Sequence, residues 1–391
     1  MQLVRKAARA LRLACAVLVG AGTTRADDEL TVKAGAEAGG YADSVGVNVL
    51  TPSVNGAVEN PLAGWRVDGR YLLDVVSAAS PDIVATATKR WSEVRQAGNI
   101  GARYKPGDIG GAAYGTFSYS PDYLALVGGG QLLVDLDEKN LSLLGGYAYG
   151  NDTIGRAGTS FSTFSRTLAY HTITVGIARP LSASSVFSVT ADAIIERGDQ
   201  SKPYRYIPLF TPSDAAKVPR GVQPDQIAAL RIQPRPLEQL PLERERYALA
   251  ARFATRNSIG TLRLEERGYI DAWGIKASTS DVRYMIDVGR RLIVWPNFRF
   301  HVQSAVDFWK RAYTATGVND IPALRTGDRE LGALFSFAAG GGARLALGRE
   351  GNLDAWVLTT QLVWTWTNFA DAIYVTTRYS AFAVLGVEAT F

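Results

Sequence analysis

Apolar and polar positions alternate with a period of two along most of the chain, which is the signature of strands whose two faces meet different surroundings. Trp65, Val67, Gly69, Tyr71, Leu73 and Val75 fall on one face, against Arg66, Asp68, Arg70, Leu72 and Asp74 on the other. The same pattern recurs in Phe298, Phe300, Val302, Ser304, Val306 and Phe308 against Arg299, His301, Gln303, Ala305 and Asp307, and in Val282, Tyr284, Ile286 and Val288 against Asp281, Arg283, Met285 and Asp287. No apolar stretch reaches the roughly 18 residues that a membrane helix needs. In a soluble sandwich the apolar faces form a core; in an outer-membrane barrel they meet lipid and the ionic faces line a wet interior.

Three features favour the barrel. Aromatic residues stand near strand ends on the apolar face, namely Trp65, Tyr104, Tyr119, Phe187, Phe298, Phe308, Trp364 and Trp366, as interfacial girdles require. Short connections with turn chemistry, such as Asn60 to Gly64, Lys105 to Asp108, Asp137 to Asn140, Arg179 to Ser182, Asn257 to Gly260, Trp295-Pro296-Asn297 and Gly348 to Asn352, alternate with long ones at 77–90, 151–164, 197–241 and 311–327. The chain also ends on Phe391, on the same face as Tyr379, Ala381, Ala383, Leu385, Val387 and Ala389, which resembles the C-terminal signal by which such barrels are recognised for assembly. The punctuation predicts sixteen strands, at 30–40, 46–57, 64–77, 91–104, 108–119, 122–136, 141–150, 166–178, 184–196, 242–256, 260–272, 277–292, 298–310, 329–347, 352–368 and 375–391. The pair at 30–57 carries Gly39, Gly40 and Pro52, residues that weaken a strand.

Composition sharpens this picture. Of 391 residues, 47% are hydrophobic and 20% charged, with 39 Gly, 17 Tyr and a single Cys, which excludes a disordered chain, a disulfide scaffold and a Cys/His metal cluster. Residues 1–26 read as a signal peptide: basic residues from Arg5 to Arg12, an apolar run from Leu13 to Gly20, and a small-residue site at Thr24-Arg25-Ala26. Residues 27–391 are then the barrel. Without the leader's five basic residues the chain has 37 basic and 37 acidic residues. A chain with no net field is a poor partner for nucleic acid.

Ser77-Ala78-Ala79-Ser80-Pro81-Asp82, Ser120-Pro121-Asp122-Tyr123, Asn151-Asp152-Thr153-Ile154-Gly155 and Pro203-Tyr204-Arg205-Tyr206-Ile207-Pro208 resemble a family of outer-membrane barrels known as a domain of unknown function, number thirty-five seventy. The resemblance covers nearly all of the mature chain and implies a Gram-negative outer-membrane location. It supplies no activity and no catalytic residues.

The most informative chemistry is a run of inward-directed charge. Arg244, Arg246, Arg252 and Arg256 share one parity, opposite to Tyr247, Leu249, Ala251 and Phe253, and are followed by Arg263, Glu265, Arg267 and Asp271. Neighbouring strands add Arg283, Asp287, Arg291, Arg299, His301 and Asp307. A charge facing lipid at mid-bilayer costs roughly 2 to 4 kcal/mol, so the parity directs these groups inward. As candidate pore-lining residues, Arg244, Arg246, Arg252, Arg263, Glu265, Arg267, Arg283, Asp287, Arg299, His301 and Asp307 would orient and select polar solutes. The competing expectation is a lumen closed by arginine–carboxylate pairs.

Eight prolines between 197 and 241 forbid a continuous strand there, although 213–218 and 225–230 suit short helical turns; this connection reads as a lid or an infolded constriction. Asp82, Asp122, Asp152 and Asp199 fall at one end, where they act as turn residues more readily than as a calcium site. His171 shares the apolar parity, and His301, though inward, has no nucleophile in context, so neither points to catalysis. No cofactor or metal is implied. The expected protein is an all-β, transmembrane antiparallel barrel: a passive porin-like channel for small polar or anionic solutes, partnered by outer-membrane lipids and the assembly machinery. The alternative is a closed barrel that serves as an extracellular binding, adhesion or accessory-assembly scaffold.

Overall fold

The computed structural model describes residues 30–78, 91–156, 158–233, 235–317, 320–348 and 355–391. The leader expected at 1–26, Asp82 with most of its connection, and most of the turn expected at 348–352 lie outside these residues. The first nine strands are β1 (Thr31–Asp43), β2 (Val47–Asn60), β3 (Trp65–Ala78), β4 (Trp91–Tyr104), β5 (Ile109–Ser120), β6 (Tyr123–Leu136), β7 (Leu141–Ile154), β8 (Arg166–Ser182) and β9 (Ser185–Gly198). After a short β10 (Leu209–Phe210) come β11 (Glu243–Arg256), β12 (Gly260–Asp271), β13 (Lys276–Val288) and β14 (Leu292–Gln303). A second short strand, β15 (Tyr313–Thr314), precedes β16 (Leu334–Ala346), β17 (Trp356–Phe369) and β18 (Thr377–Thr390).

Sixteen of these strands close into one antiparallel barrel, each paired with its sequence neighbour and β1 sealed against β18. Closure removes the open edge that hydrocarbon would not tolerate, since every strand finds hydrogen-bond partners on both sides. The even count brings both chain termini to one end. Large apolar side chains such as Leu126, Val175, Leu249, Phe298, Leu362 and Leu385 stand exposed on the outer wall, while the alternate positions carry charge into the interior, the period-two pattern made solid.

One expected strand is displaced. Trp295-Pro296-Asn297 is not a turn; the reversal lies at 289–291, where Gly289 takes φ 66°, and Pro296 sits inside β14. Proline lacks the N–H that a central strand must donate, and the β13–β14 ladder is interrupted between Arg283↔Asn297 and Ile286↔Val294. The other edge stays in register through Pro296↔Gly341. Pro52 does the same to the β2–β3 ladder, which skips from Leu50↔Val75 to Ser53↔Leu72. The glycines of β16 accommodate the inward indole beside Pro296, for a Cβ on Gly342 would lie 2.4 Å from Trp295 Cζ2. Because β14 ends at Gln303, residues 304–310 leave the wall, and Phe308 packs edge-on to Trp273, with centroids 5.8 Å apart, rather than joining an outer girdle.

At the end away from the termini, the described residues of 199–242 fold together with those of 304–333 and with 370–376. β10 pairs in parallel with β15, and the helical turns expected at 213–218 and 225–230 appear as α1 (Pro212–Ala215) and α2 (Pro224–Leu230). Ile207, Leu209 and Tyr313 form one buried cluster; Phe210, Val218, Val222 and Ile227 form another. Leu240, Trp273, Ile275 and Val306 weld this cap to the β12–β13 turn. The cap also reaches past β8 and β7, where the Tyr204 hydroxyl donates to Asp122 at 2.7 Å.

Candidate functional site

The interior wall of β11–β14 is built by register. Its rows run across neighbouring strands as Arg252↔Glu265↔Asp281↔Arg299, then Arg263↔Arg283↔Asn297, then Arg267↔Thr279↔His301. These residues meet because each stands opposite an exposed apolar neighbour: Leu264 and Val282 on β12 and β13, Phe298 and Phe300 on β14.

The expected arginines, with Glu265 and Asp287, divide into three groups. At the capped end, Arg244 is buried between Asp271, whose Oδ2 lies 2.5 Å from its Nη2, and the Trp273 ring, 4.1 Å from its Cζ; Arg246 pairs with Glu196 at 3.0 Å. Further down, Arg252 pairs with Glu265 at 2.6 Å, Arg267 approaches Asp192 at 3.9 Å, and Asp287 takes Arg256. Arg263, Arg283 and Arg299 make no ion pair or hydrogen bond among the described residues. His301 is held between Thr279 Oγ1 at 2.8 Å and Gln303 Oε1 at 3.3 Å.

Asp307 corrects an expectation. It lies on the segment beyond β14, its backbone N–H donates to Trp273 O at 2.8 Å, and its carboxylate crowds Gly274, where a Cβ would come within 2.1 Å of Oδ1. The strand it was assigned to ends four residues earlier, so it braces the cap and not the wall. Arg291 likewise falls in the β13–β14 turn.

The facing wall carries ion pairs whose residues the alternation displays but whose partnerships it hides. Lys33 and Arg66 share Glu59 at 2.7 and 3.0 Å, Arg70 meets Glu37 at 2.5 Å, and Arg95 bridges Asp74 and Ser118. Cross-strand register, invisible without strand pairing, supplies these contacts. Asp122, Asp152 and Asp199 are taken by Tyr204, Tyr123 and Arg166, and no metal-binding group of His, Cys, Asp or Glu exists among the described residues. His171 lies on the outer face between the rings of Tyr147 and Tyr149.

Wetness changes along the axis. The side chains of Arg252 and Arg256 are 52% and 59% exposed, whereas Asp271 and Glu238 at the capped end are fully covered. In the cap, Glu238 accepts from Arg205 Nη1 at 3.0 Å, from Thr326 Oγ1 at 2.6 Å and from the Lys202 N–H at 3.0 Å, and Arg205 also reaches Asp328 at 2.9 Å. Burial opposes charge on Asp328, but the Arg205 guanidinium outweighs it and holds the carboxyl below the usual aspartate range.

Residues 17–355 match the model of a protein family of unknown function, DUF3570. The chain belongs to this family. No curated protein matches it. Among solved structures, several align with this DUF3570 chain at low identity. The P. putida toluene transporter TodX is 9% identical over 94% of this chain and 91% of its own, with a TM-score of 0.40. OprD of Pseudomonas aeruginosa is 9% identical over 93% and 96%, with a TM-score of 0.40. CdiB from Acinetobacter baumannii is 9% identical over 94% and 61%, with a TM-score of 0.47.

Proposed function

We propose that this chain is an outer-membrane channel that passes small polar solutes and prefers anions. The observation that carries the reading is the trio Arg263, Arg283 and Arg299, inward-facing and in no ion pair among the described residues, in a stretch of lumen roomy enough to leave the neighbouring Arg252 and Arg256 half exposed. Unneutralised guanidinium groups in a narrow water column with low-dielectric walls raise the local anion concentration. Arg246, Arg252, Arg267, Glu265, Asp287 and His301 then act as the polar lining that keeps the column wet, while Arg244 is held at the capped end by Asp271 and the Trp273 ring. Residues 1–26 direct the chain through the inner membrane of a Gram-negative cell, and Phe391 presents the last strand to the assembly machinery. The channel needs no cofactor and does no chemistry of its own.

The cap supports a second reading, since its buried clusters cover part of the far mouth: a closed barrel whose cap is the binding surface. Purified full-length protein in a planar bilayer separates the two. Discrete conductance steps support the channel; a silent, correctly folded barrel overturns it in favour of the scaffold.

A further inference from the structure

The outer wall carries a carboxylate that lipid should not accept. Glu266 lies near the middle of β12 and shares parity with Leu264 and Ile270, so it points away from the interior. Among the described residues it is the one carboxylate on the outer face away from the strand ends. Its register partners share that face: Ser280 opposite on β13 and Ala251 on β11. Ser280 and Ser278 donate to its two oxygens, each at 2.5 Å.

Two hydroxyls do not complete the environment of a carboxyl group, whose two oxygens together accept about four hydrogen bonds. The rest of its surface, exposed in this single barrel, would face hydrocarbon. An ionisable group at membrane depth ordinarily meets a partner. The surroundings fit one. Gly268, Ser278, Ser280 and Ala251 are small and permit close approach. On one side a groove of about 430 Å³ runs over Ala191, Ala193 and Gly268. On the other side Phe298, Phe300 and Val302 of β14 stand out as a ridge.

We propose that the β9–β14 face, centred on Glu266, is where a second copy of this chain docks. The inference rests on the barrel spanning a membrane, but not on its conducting. Two copies inserted with the same orientation are related by an axis along the membrane normal, and a two-fold there exchanges left and right across the patch. The ridge of each barrel therefore meets the groove of the other, as an isologous interface requires. The two carboxyl groups come together within four serine hydroxyls, donors and acceptors supplied by the same surface from both sides. One proton shared between the carboxyls avoids placing two like charges in contact.

Cysteine cross-linking in outer-membrane vesicles tests this, because the only native cysteine, Cys15, lies in the leader. Ala251→Cys, beside Glu266, should give a disulfide-linked dimer under mild oxidation. Gly128→Cys, on the outer wall of β6 where a Cβ meets nothing within 4 Å, should give little. Adding Glu266→Leu to Ala251→Cys should lower the cross-link roughly tenfold, while heat-shifted gel mobility confirms that the barrel still folds. Failure of Ala251→Cys to cross-link in a folded barrel, equal cross-linking from both positions, or a yield indifferent to Glu266→Leu each overturns the proposal. A barrel that dimerises but does not conduct would leave it standing and refute the channel alone.

Discussion

Arg263 on β12 and Arg283 on β13 stand opposite each other, both turned to the interior, and neither meets a carboxylate among the described residues. Like charges directly across a strand pair are destabilising by roughly 0.2 to 1 kcal/mol. Arg283→Gln should therefore raise the thermal unfolding midpoint of the detergent-solubilised protein at low salt, by the equivalent of about 0.5 kcal/mol. The gain should shrink at high salt as screening replaces the substitution's effect. An unchanged or lowered midpoint at low salt would show that the two groups are neutralised by a partner.

Glu238 is the buried hub of the cap. Glu238→Ala leaves the Arg205 guanidinium, the Thr326 hydroxyl and the Lys202 N–H without their shared acceptor, a loss of about 3 kcal/mol. Hydrogen exchange should show faster opening at 205–209 and 313–317, with the strands of the barrel protected as before. Unchanged protection of the cap would contradict its role.

The cap should also loosen in acid. The folded-state affinity of Asp328 for protons is depressed, so its pairing with Arg205 contributes stability in full above the ordinary aspartate pKa of about 3.9, and that contribution is lost as pH falls through the lower folded value. Cap protection, corrected for intrinsic exchange, should hold between about pH 7 and pH 5 and fall below about pH 4. Asp328→Asn should be less stable at neutral pH and show a weaker acid response. A cap equally acid-sensitive in both proteins would assign the effect elsewhere.

Phe391 closes the barrel seam through reciprocal backbone bonds with Val32 at 2.8 and 3.0 Å and an edge-on contact with Trp356, centroids 6.5 Å apart. If it is also the assembly signal, deleting it should sharply reduce membrane-inserted protein, with Phe391→Tyr milder. Quantitative outer-membrane fractionation checks this, and equal insertion of all three forms would remove the signal role.

The strand count was legible because period two persists wherever the outer wall must be apolar, as along Tyr247, Leu249, Ala251 and Phe253. Where chemistry mimicked punctuation, the pattern misled. Pro296 reads as a turn residue, yet a ladder can lose one donor when the opposite edge stays paired, so β14 begins six residues before the expected start and Asp307 leaves the wall. The inward parity of Arg246 and Arg267 was readable, but their partners Glu196 and Asp192 sit on β9, across the long connection to β11, and only register reveals them. Glu266 shares the outward parity of Leu264 and Ile270, so alternation alone places it outside, but its serine partners on β13 appear only with the register. The cap was the least legible part, because its burial depends on contacts between segments a hundred residues apart.

The central claim, an anion-preferring lumen set by unpaired arginines, is tested most directly by the reversal potential in a planar bilayer under a salt gradient. The wild type should reverse on the anion-selective side, and Arg263→Gln, Arg283→Gln and Arg299→Gln together should move it toward cation selectivity while single-channel openings persist. A conducting wild type whose reversal potential is unmoved by the three changes would contradict the account.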